Sequence, residues 1–119
     1  EAMRDSLTGG RAFVFLDAAQ LVKHAFGLRT QAQATGRRAI LCYLFAEPAT
    51  YPDGRTVAPS AIEAHRAELA AFTAEVTDAL ADVTFCSLSY GALLQHWAQS
   101  PSLADHARAV AAHFNVGAP

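Results

Sequence analysis

Two apolar segments on either side of a long helical segment constrain the fold of this 119-residue chain more than any other feature. The first, AILCYLFAEP at 39–48, is apolar at odd and even positions alike, which is typical of a strand covered on both faces in a parallel sheet. The second, VTFCSLSY at 83–90, is also predicted to be a strand. A helix that joins neighbouring parallel strands makes a right-handed crossover. The sequence therefore predicts an α/β fold with a small, mostly parallel sheet, a βαβ crossover and flanking helices.

The segment between the two strands, 60–81, carries the clearest helical pattern in the chain. Ser60 and Glu63 have the spacing of a capping box, in which each side chain accepts a backbone N–H group at the start of the helix. An apolar stripe runs along the predicted helix and indicates the face that packs into a core. This stripe comprises Ile62, Leu69, Phe72, Val76 and Leu80.

An amphipathic helix is predicted before the first strand. Asp17 is its expected N-cap and Gly36 its expected end, because aspartate accepts N–H groups at helix starts and glycine adopts the left-handed conformation at helix ends. Its apolar face comprises Leu21, Val22, Ala25 and Leu28, and its polar face comprises Gln20, Lys23, His24 and Gln31. After the second strand, short helices are predicted at 92–99, with Ser89 as N-cap, and at 102–114.

By size the chain is a single α/β domain or a domain fragment, 1–119. Hydrophobic residues make up 52% and charged residues 17%, which is enough apolar material for a core and too little charge for a disordered chain. We divide it into an N-terminal segment, 1–15, a core, 16–114, and a tail, 115–119. Two strands make a small sheet with open edges. We therefore expect further sheet from AFVFL at 12–16, from a homodimer partner or from a missing N-terminal half.

Charge and composition exclude some classes of function. The net charge of −2 argues against a long phosphate-binding surface but leaves room for a local basic site. No apolar run approaches the ~18 residues that a membrane span needs. No signal peptide is visible either, so we expect a cytoplasmic protein with no membrane partner. In that compartment Cys42 and Cys86, both inside apolar runs, are expected to be buried, reduced thiols, with a disulfide as the alternative.

The chain contains no motif that is typical of a catalytic or metal-binding site. There is no glycine-rich phosphate loop, no nucleophile elbow and no cysteine or histidine pair at zinc-binding spacing. His106 and His113 share a helix face but lack an acidic or thiol partner, so we expect them to be structural. Glu47 and Ser89 stand at the carboxyl ends of strands, where α/β sheets bind ligands. We expect a water-facing charge and a helix cap there instead.

Lys23 is the only lysine in the chain, and it lies three residues after Gln20 in the second turn of the predicted first helix. The positive end of the helix dipole is close to this turn, so an anion bound there would be attracted by both the dipole and the ammonium group. A solvated helix face without a ligand is the alternative interpretation of the same spacing.

Four segments within residues 16–97 together resemble a known family. DAAQLVKHAFGL, AILCYLFAEP, EAHRAELAAFTAEV and VTFCSLSYGALLQHW follow one another as in the C-terminal half of the PD-(D/E)XK, or restriction-endonuclease-like, nuclease superfamily. In the most similar bacterial members a Q-x-x-(K/R) helix follows the catalytic hairpin, and an apolar strand, a helix and a last strand follow that helix. The last strand and the turn after it match the family pattern at Phe85, Leu88, Ser89 and Leu93.

This resemblance implies a restriction-endonuclease-like half-domain, phosphodiester hydrolysis by the parent nuclease and two site residues in this chain. In that family an aspartate and a Glu-x-Lys motif hold Mg²⁺ and position the water that hydrolyses a phosphodiester. Gln20 corresponds to a helix glutamine near that active site, and Lys23 to a basic residue that contacts a DNA phosphate. Because the only lysine follows Leu21 and Val22, no Glu-x-Lys exists in this chain. We therefore expect no catalytic residue, metal ligand or cofactor here, and no cleavage by this chain alone, with Mg²⁺ confined to the parent nuclease.

Two functions remain open at this point, besides a small-molecule enzyme that would use the strand ends near Glu47 and Ser89 and that no suitably spaced pair of titratable groups supports. The chain is either the C-terminal part of a DNA nuclease whose metal site lies upstream of Glu1, or a small non-catalytic α/β module that begins at Met3. The second would act by binding or oligomerising through its exposed sheet edge, and a stable symmetric homodimer would favour it.

Overall fold

The computed structural model describes residues 13–79 and 82–114, which form a mixed α/β structure. Its elements are α1 (Ala18–Thr35), β1 (Ala39–Phe45), α2 (Pro59–Ala79), β2 (Val83–Ser89), α3 (Tyr90–Ala98) and α4 (Ala104–Phe114). Among the described residues, β1 and β2 form a two-stranded parallel sheet. The predicted α/β class is therefore confirmed, while the right-handed crossover stays a prediction.

The caps predicted for α1 are confirmed at both ends. The Asp17 Oδ1 atom accepts the backbone N–H of Gln20 at 3.1 Å. Gly36 ends the helix in the left-handed conformation with φ 64°, and its N–H reaches the carbonyl of Ala32. The apolar face is buried over most of its length, at Ala18, Leu21, Val22, Ala25 and Ala32. Local sequence signals thus account for where this helix begins, ends and packs.

The predicted start of α2 is wrong by one residue. The helix begins at Pro59, and the carbonyl of Ala58 accepts the N–H of Ala61 at 2.9 Å. Proline fits the first helical position because its fixed φ suits the helix and it has no N–H to leave unpaired there. Ser60 is therefore already inside the helix, and its predicted capping box with Glu63 does not form the helix start.

The described residues fall into two compact units, which we describe separately. The first comprises 13–42 with 63–79 and 82–86. Its core is aromatic: the ring of Phe72 packs edge-on against Phe13, with centroids 6.4 Å apart, and against Phe85, with centroids 5.0 Å apart. Members of the predicted α2 stripe are buried at Leu69, Phe72 and Val76, whereas Ile62 is half-buried and Leu80 lies outside the described residues.

The second unit comprises 43–62 with 87–114 and has a small core between α3 and α4. Ser89 caps α3 as predicted, because its Oγ accepts the N–H of Ala92 at 3.1 Å. Leu94 of α3 is buried against Ala107 and Ala111 of α4. Small alanine side chains allow two helices to approach closely, and Trp97, Ala98 and Val110 pack against this contact.

The prediction that β1 is covered on both faces is wrong. Side chains along β1 alternate between half-buried and exposed, and Ile40 and Leu44 are 66% and 40% exposed. A parallel strand is buried on both faces only where other elements lie against both, and in the described part of the chain one face of this sheet has no cover. For the same reason the prediction of buried thiols is wrong, since Cys42 and Cys86 are both exposed.

The apolar run AFVFL is not a strand over its described part, Phe13–Leu16. Ala12 lies outside the described residues. Of the sources that we expected for additional sheet, a partner chain or a missing N-terminal half therefore remain. Among the helices described here, none is long and apolar enough to cross a membrane.

Candidate functional site

The polar face of α1 carries both residues that the family resemblance selects. Gln20, Lys23 and the neighbouring His24 are all exposed. Residues three apart on an α-helix are neighbours on its surface, so the helix places the Gln20 amide and the Lys23 ammonium on one accessible patch. We call Gln20 and Lys23 the α1 pair.

A carboxylate at the helix start changes the electrostatics expected for this patch. The Asp17 side chain accepts the Gln20 N–H at 3.1 Å and so occupies the positive end of α1. Its negative charge offsets a helix dipole that is worth only about 0.3–1 kcal/mol to an anion at an exposed site. Attraction of a phosphate to the α1 pair therefore depends on Lys23 rather than on the helix end.

Another cation on α1 is already engaged by an acid. The Arg29 Nε atom lies 3.8 Å from Asp82 Oδ2, and the Gln33 amide donates to the same oxygen at 3.4 Å. In the part of the chain that the structure describes, no carboxylate forms an ion pair with Lys23. The ammonium group of Lys23 is thus the positive charge of α1 that is available to an external anion.

The described residues do not provide a magnesium site. Residues 13–79 and 82–114 contain no group of three or more His, Cys, Asp or Glu side chains that could hold a metal ion. His106 lies beside the Trp97 ring at 5.8 Å between centroids, and His113 lies edge-on to Phe114 at 4.6 Å. Both histidines therefore take part in ring contacts, in keeping with the structural role expected for them.

The loop after β1 uses its own charges internally. Arg55 donates its backbone N–H to Asp53 Oδ1 at 3.1 Å and its Nε–H to Asp53 Oδ2 at 2.6 Å. These two hydrogen bonds hold the pKa of Asp53 below its ordinary value. The Arg55 guanidinium also stacks over the Tyr51 ring, 5.2 Å from its centroid. These contacts stabilise the turn. Because Asp53 and Arg55 pair with each other, the loop presents little net charge to a ligand.

An apolar cavity of about 360 Å³ lies within the second unit. Its lining residues are Ala46, Pro48, Tyr90, Val110 and Phe114. None of them is charged, and only the Tyr90 hydroxyl offers a side-chain polar group. The cavity can take an apolar group but has no constellation for catalysis.

Sequence reasoning missed the role of Glu68 on α2. Its carboxylate accepts three consecutive backbone N–H groups, from Val14 at 2.8 Å, Phe15 at 2.9 Å and Leu16 at 2.8 Å. Partial burial acts to raise the pKa of Glu68, but these three hydrogen bonds and the nearby His65 charge together bring the pKa below its ordinary value. The partners lie far apart in the chain, so no local pattern could have revealed the contact.

The two cysteines, for which a disulfide was the alternative expectation, lie beside each other on neighbouring strands. The Ala39 N–H donates to the Asp82 carbonyl at 3.3 Å, which in a parallel ladder sets Ala39 opposite Val83. Three residues further along each strand, Cys42 lies opposite Cys86. Partial shielding raises the pKa of Cys86, and its hydrogen bond to Cys42 raises it further. The sequence does contain a signal for this pairing, because each cysteine is the fourth residue of its strand, in AILCYLF and in VTFCSLS.

Chemically, the α1 pair offers hydrogen-bond donors that suit an anion. A lysine ammonium donates to phosphate oxygens, and a glutamine amide can donate beside it. Among the described residues, no group of three or more His, Cys, Asp or Glu side chains that could hold a metal ion accompanies the pair. Comparisons with protein-family models, with curated proteins and with solved structures find no match for this chain.

Proposed function

We propose that this chain is the C-terminal part of a restriction-endonuclease-like DNA nuclease of the PD-(D/E)XK superfamily. The observation that carries the proposal is the exposed α1 pair on the helix directly before β1. The order α1, β1, α2, β2 agrees with the helix, strand, helix and strand that the resemblance implies after the catalytic hairpin. In this proposal the α1 pair contacts the DNA backbone.

The contact assigned to the α1 pair is with a phosphate and carries no sequence information. Lys23 would donate to a phosphate oxygen as a point charge, and the Gln20 amide would add a second donor one turn earlier. The Asp17 carboxylate at the helix start opposes the approach of a phosphate, so the contribution of the pair is modest. Binding of this kind weakens steeply with salt because it releases condensed counterions.

The proposal places the catalytic groups outside these residues. The family's metal-binding aspartate and Glu-x-Lys have no counterpart in this chain, and the described residues lack a set that fits Mg²⁺. The parent reading frame tests this directly. An aspartate followed by Glu-x-Lys should be encoded upstream within about one half-domain, on the usual scale of domain sizes. Without that motif the nuclease assignment fails.

Replacing Lys23 with alanine should weaken binding of duplex DNA about two- to fivefold at low salt, in line with the ~0.5–1 kcal/mol of an exposed ion pair. The slope of log K against log salt should become shallower by about one unit, because one phosphate contact is lost. Fluorescence anisotropy with a labelled duplex at several salt concentrations measures both quantities. Gln20→Ala should have a smaller effect and leave the salt slope unchanged.

Arg38→Ala is the matched control for Lys23→Ala. Arg38 is exposed in the connection between α1 and β1, and its removal changes the net charge by the same amount. If the two variants lose affinity equally, the loss reflects total charge and the α1 pair has no specific role. If Lys23→Ala binds as tightly as the unchanged chain at low salt, the phosphate contact is refuted.

A second candidate function is a binding or oligomerisation module, and the exposed face of β1 favours it. Ile40 and Leu44 expose 66% and 40% of their surface on that face. A homodimer that covered this face would remove apolar surface from water, at about 25 cal/mol per Å² buried. The function would then be assembly rather than nucleic-acid binding.

Oligomeric state separates this candidate from the nuclease proposal. If the oligomerisation function is correct, light scattering should show a stable dimer. Ile40→Asp should then make the chain monomeric, because the charge would be buried in the interface. Leu103→Asp is the control, since Leu103 is also exposed but precedes α4 and lies outside the sheet. A chain that is monomeric at all concentrations contradicts the oligomerisation function.

A further inference from the structure

The exposed face of the sheet brings the only two cysteines of the chain together. Because the strands are parallel and Ala39 lies opposite Val83, Cys42 and Cys86 are direct neighbours whose side chains leave the sheet on the same face. The exposure of both residues agrees with this register. The pair is therefore a consequence of strand register, not of a flexible loop.

The spacing of neighbouring strands matches the requirement for a disulfide. Adjacent strands lie about 4.7–4.9 Å apart, and the Cα atoms of bridged cysteines lie about 4.4–6.8 Å apart. The two side chains already approach closely enough for the thiols to share a hydrogen bond. For the bond to form, the two Cβ atoms must lie about 3.5–4.5 Å apart.

We infer that Cys42 and Cys86 form a reversible dithiol–disulfide site that is oxidised by small-molecule disulfides of the glutathione class. The site is independent of the α1 pair and of the proposed DNA contact. A zinc site is a poorer use of the same two thiols, because structural zinc takes four ligands. No third His, Cys, Asp or Glu joins the pair among the described residues to form such a group.

The chemistry is two successive thiol–disulfide exchanges. The thiolate of one cysteine attacks a sulfur of the external disulfide, whose S–S bond breaks and releases one small thiolate, which takes up a proton. The thiolate of the other cysteine then attacks the protein sulfur of the mixed disulfide and releases the second small thiolate. Two protein thiols lose two electrons and two protons, and one external disulfide becomes two thiols. An excess of a small dithiol reverses both steps.

The location of the pair explains why the second exchange should be faster than the first. The resolving cysteine lies on the neighbouring strand and is held there by the sheet, so its attack is intramolecular, whereas the first attack needs a collision with an external disulfide. The mixed disulfide should therefore not accumulate. The side chains beside the pair on this face, Ile40 and Thr84, carry no charge that would repel an anionic disulfide such as oxidised glutathione.

The test uses the full chain, folded and dilute, incubated with oxidised glutathione and then alkylated with iodoacetamide. We expect an intact mass reduced by two hydrogen atoms, no alkylated cysteine, and a proteolytic fragment in which Cys42 and Cys86 are linked. Dithiothreitol should restore two alkylatable thiols. The midpoint of thermal unfolding should also rise on oxidation, because the bond closes a long loop in the unfolded chain.

Single-cysteine variants distinguish an internal disulfide from two thiols that react separately. Cys42→Ser and Cys86→Ser should each retain one glutathione adduct, since the remaining thiol is exposed and has no partner to resolve it. Two adducts per unchanged chain would overturn the proposal, because they would show reactive thiols that do not reach each other. Two unmodified thiols after prolonged oxidation, or a disulfide between two chains in place of the internal bond, would overturn it as well.

Discussion

Replacing Phe72 with alanine should lower the free energy of unfolding by about 3–5 kcal/mol, the range for removing a fully buried phenylalanine. Phe72 is 0% exposed, so the substitution leaves a cavity in addition to the lost transfer energy. It also removes edge-on contacts with Phe13 and Phe85, each worth about 0.5–1.5 kcal/mol beyond the buried area. Urea unfolding followed by circular dichroism measures the change.

A loss of this size is a large share of the ~5–15 kcal/mol that stabilises a typical domain, so the alanine variant could fail to fold. Phe72→Leu keeps most of the volume and should lose only about 1–2 kcal/mol, which allows a quantitative measurement. Phe26→Ala is the matched control, because Phe26 is 39% exposed on α1 and its removal should change stability by less than about 1 kcal/mol. Equal losses at both phenylalanines would refute the aromatic core.

Replacing Glu68 with alanine should destabilise the fold by about 2 kcal/mol and release the segment before α1. Three backbone N–H groups, at Val14, Phe15 and Leu16, would lose their acceptor. Hydrogen bonds to a charged group contribute about 1.5–3 kcal/mol each when well shielded. The expected loss is smaller than their sum because Glu68 is only half-buried and water can replace part of the contact. Hydrogen exchange at the three amides gives the local measurement.

The pH dependence gives this prediction a definite sign. The pKa of Glu68 in the folded chain lies below its ordinary value of 4.5. The stabilisation is therefore present above the unfolded pKa, and it is lost as the pH falls through the folded pKa. Glu68→Gln, which keeps the shape but not the charge, should be less stable than the unchanged chain at pH 7 and should approach it in acid.

Glu63→Gln serves as the control, since Glu63 lies exposed on the same helix. Fast exchange of the Val14, Phe15 and Leu16 amides in the unchanged chain would contradict the contact. A stability difference between Glu68→Gln and the unchanged chain that does not shrink on acidification would contradict the charge-based explanation.

Local signals were sufficient for both ends of α1 and for the N-cap of α3. Asp17 and Gly36 were predicted as the ends of α1 and Ser89 as the cap of α3, and each makes the expected contact. Capping depends on residues within a few positions of one another, so the information is contained in a short window. The start of α2 was missed because two such windows overlap: Pro59 at the first helical position takes precedence over the Ser60 cap.

The sequence predicted the part of the candidate site that lies on a single helix, α1. The exposure of Gln20 and Lys23 follows from the 3.6-residue period of α1, and the structure agrees. The offsetting charge of Asp17 follows from the same local sequence, although its effect on an anion appears only when the carboxylate is placed at the helix end. The assignment of the α1 pair to DNA remains a proposal that rests on the family resemblance.

By itself, then, the sequence determined the order and type of the elements, the caps of α1 and α3 and the exposed polar face of α1, because each depends on neighbours along the chain. Only the tertiary structure decided which sheet face is uncovered, which amides the Glu68 carboxylate binds and which residue lies opposite Cys42. These features depend on contacts between residues that are distant in sequence. Periodicity indicates which side of an element is apolar, but the element that covers that side, and the register in which two strands meet, are set by packing.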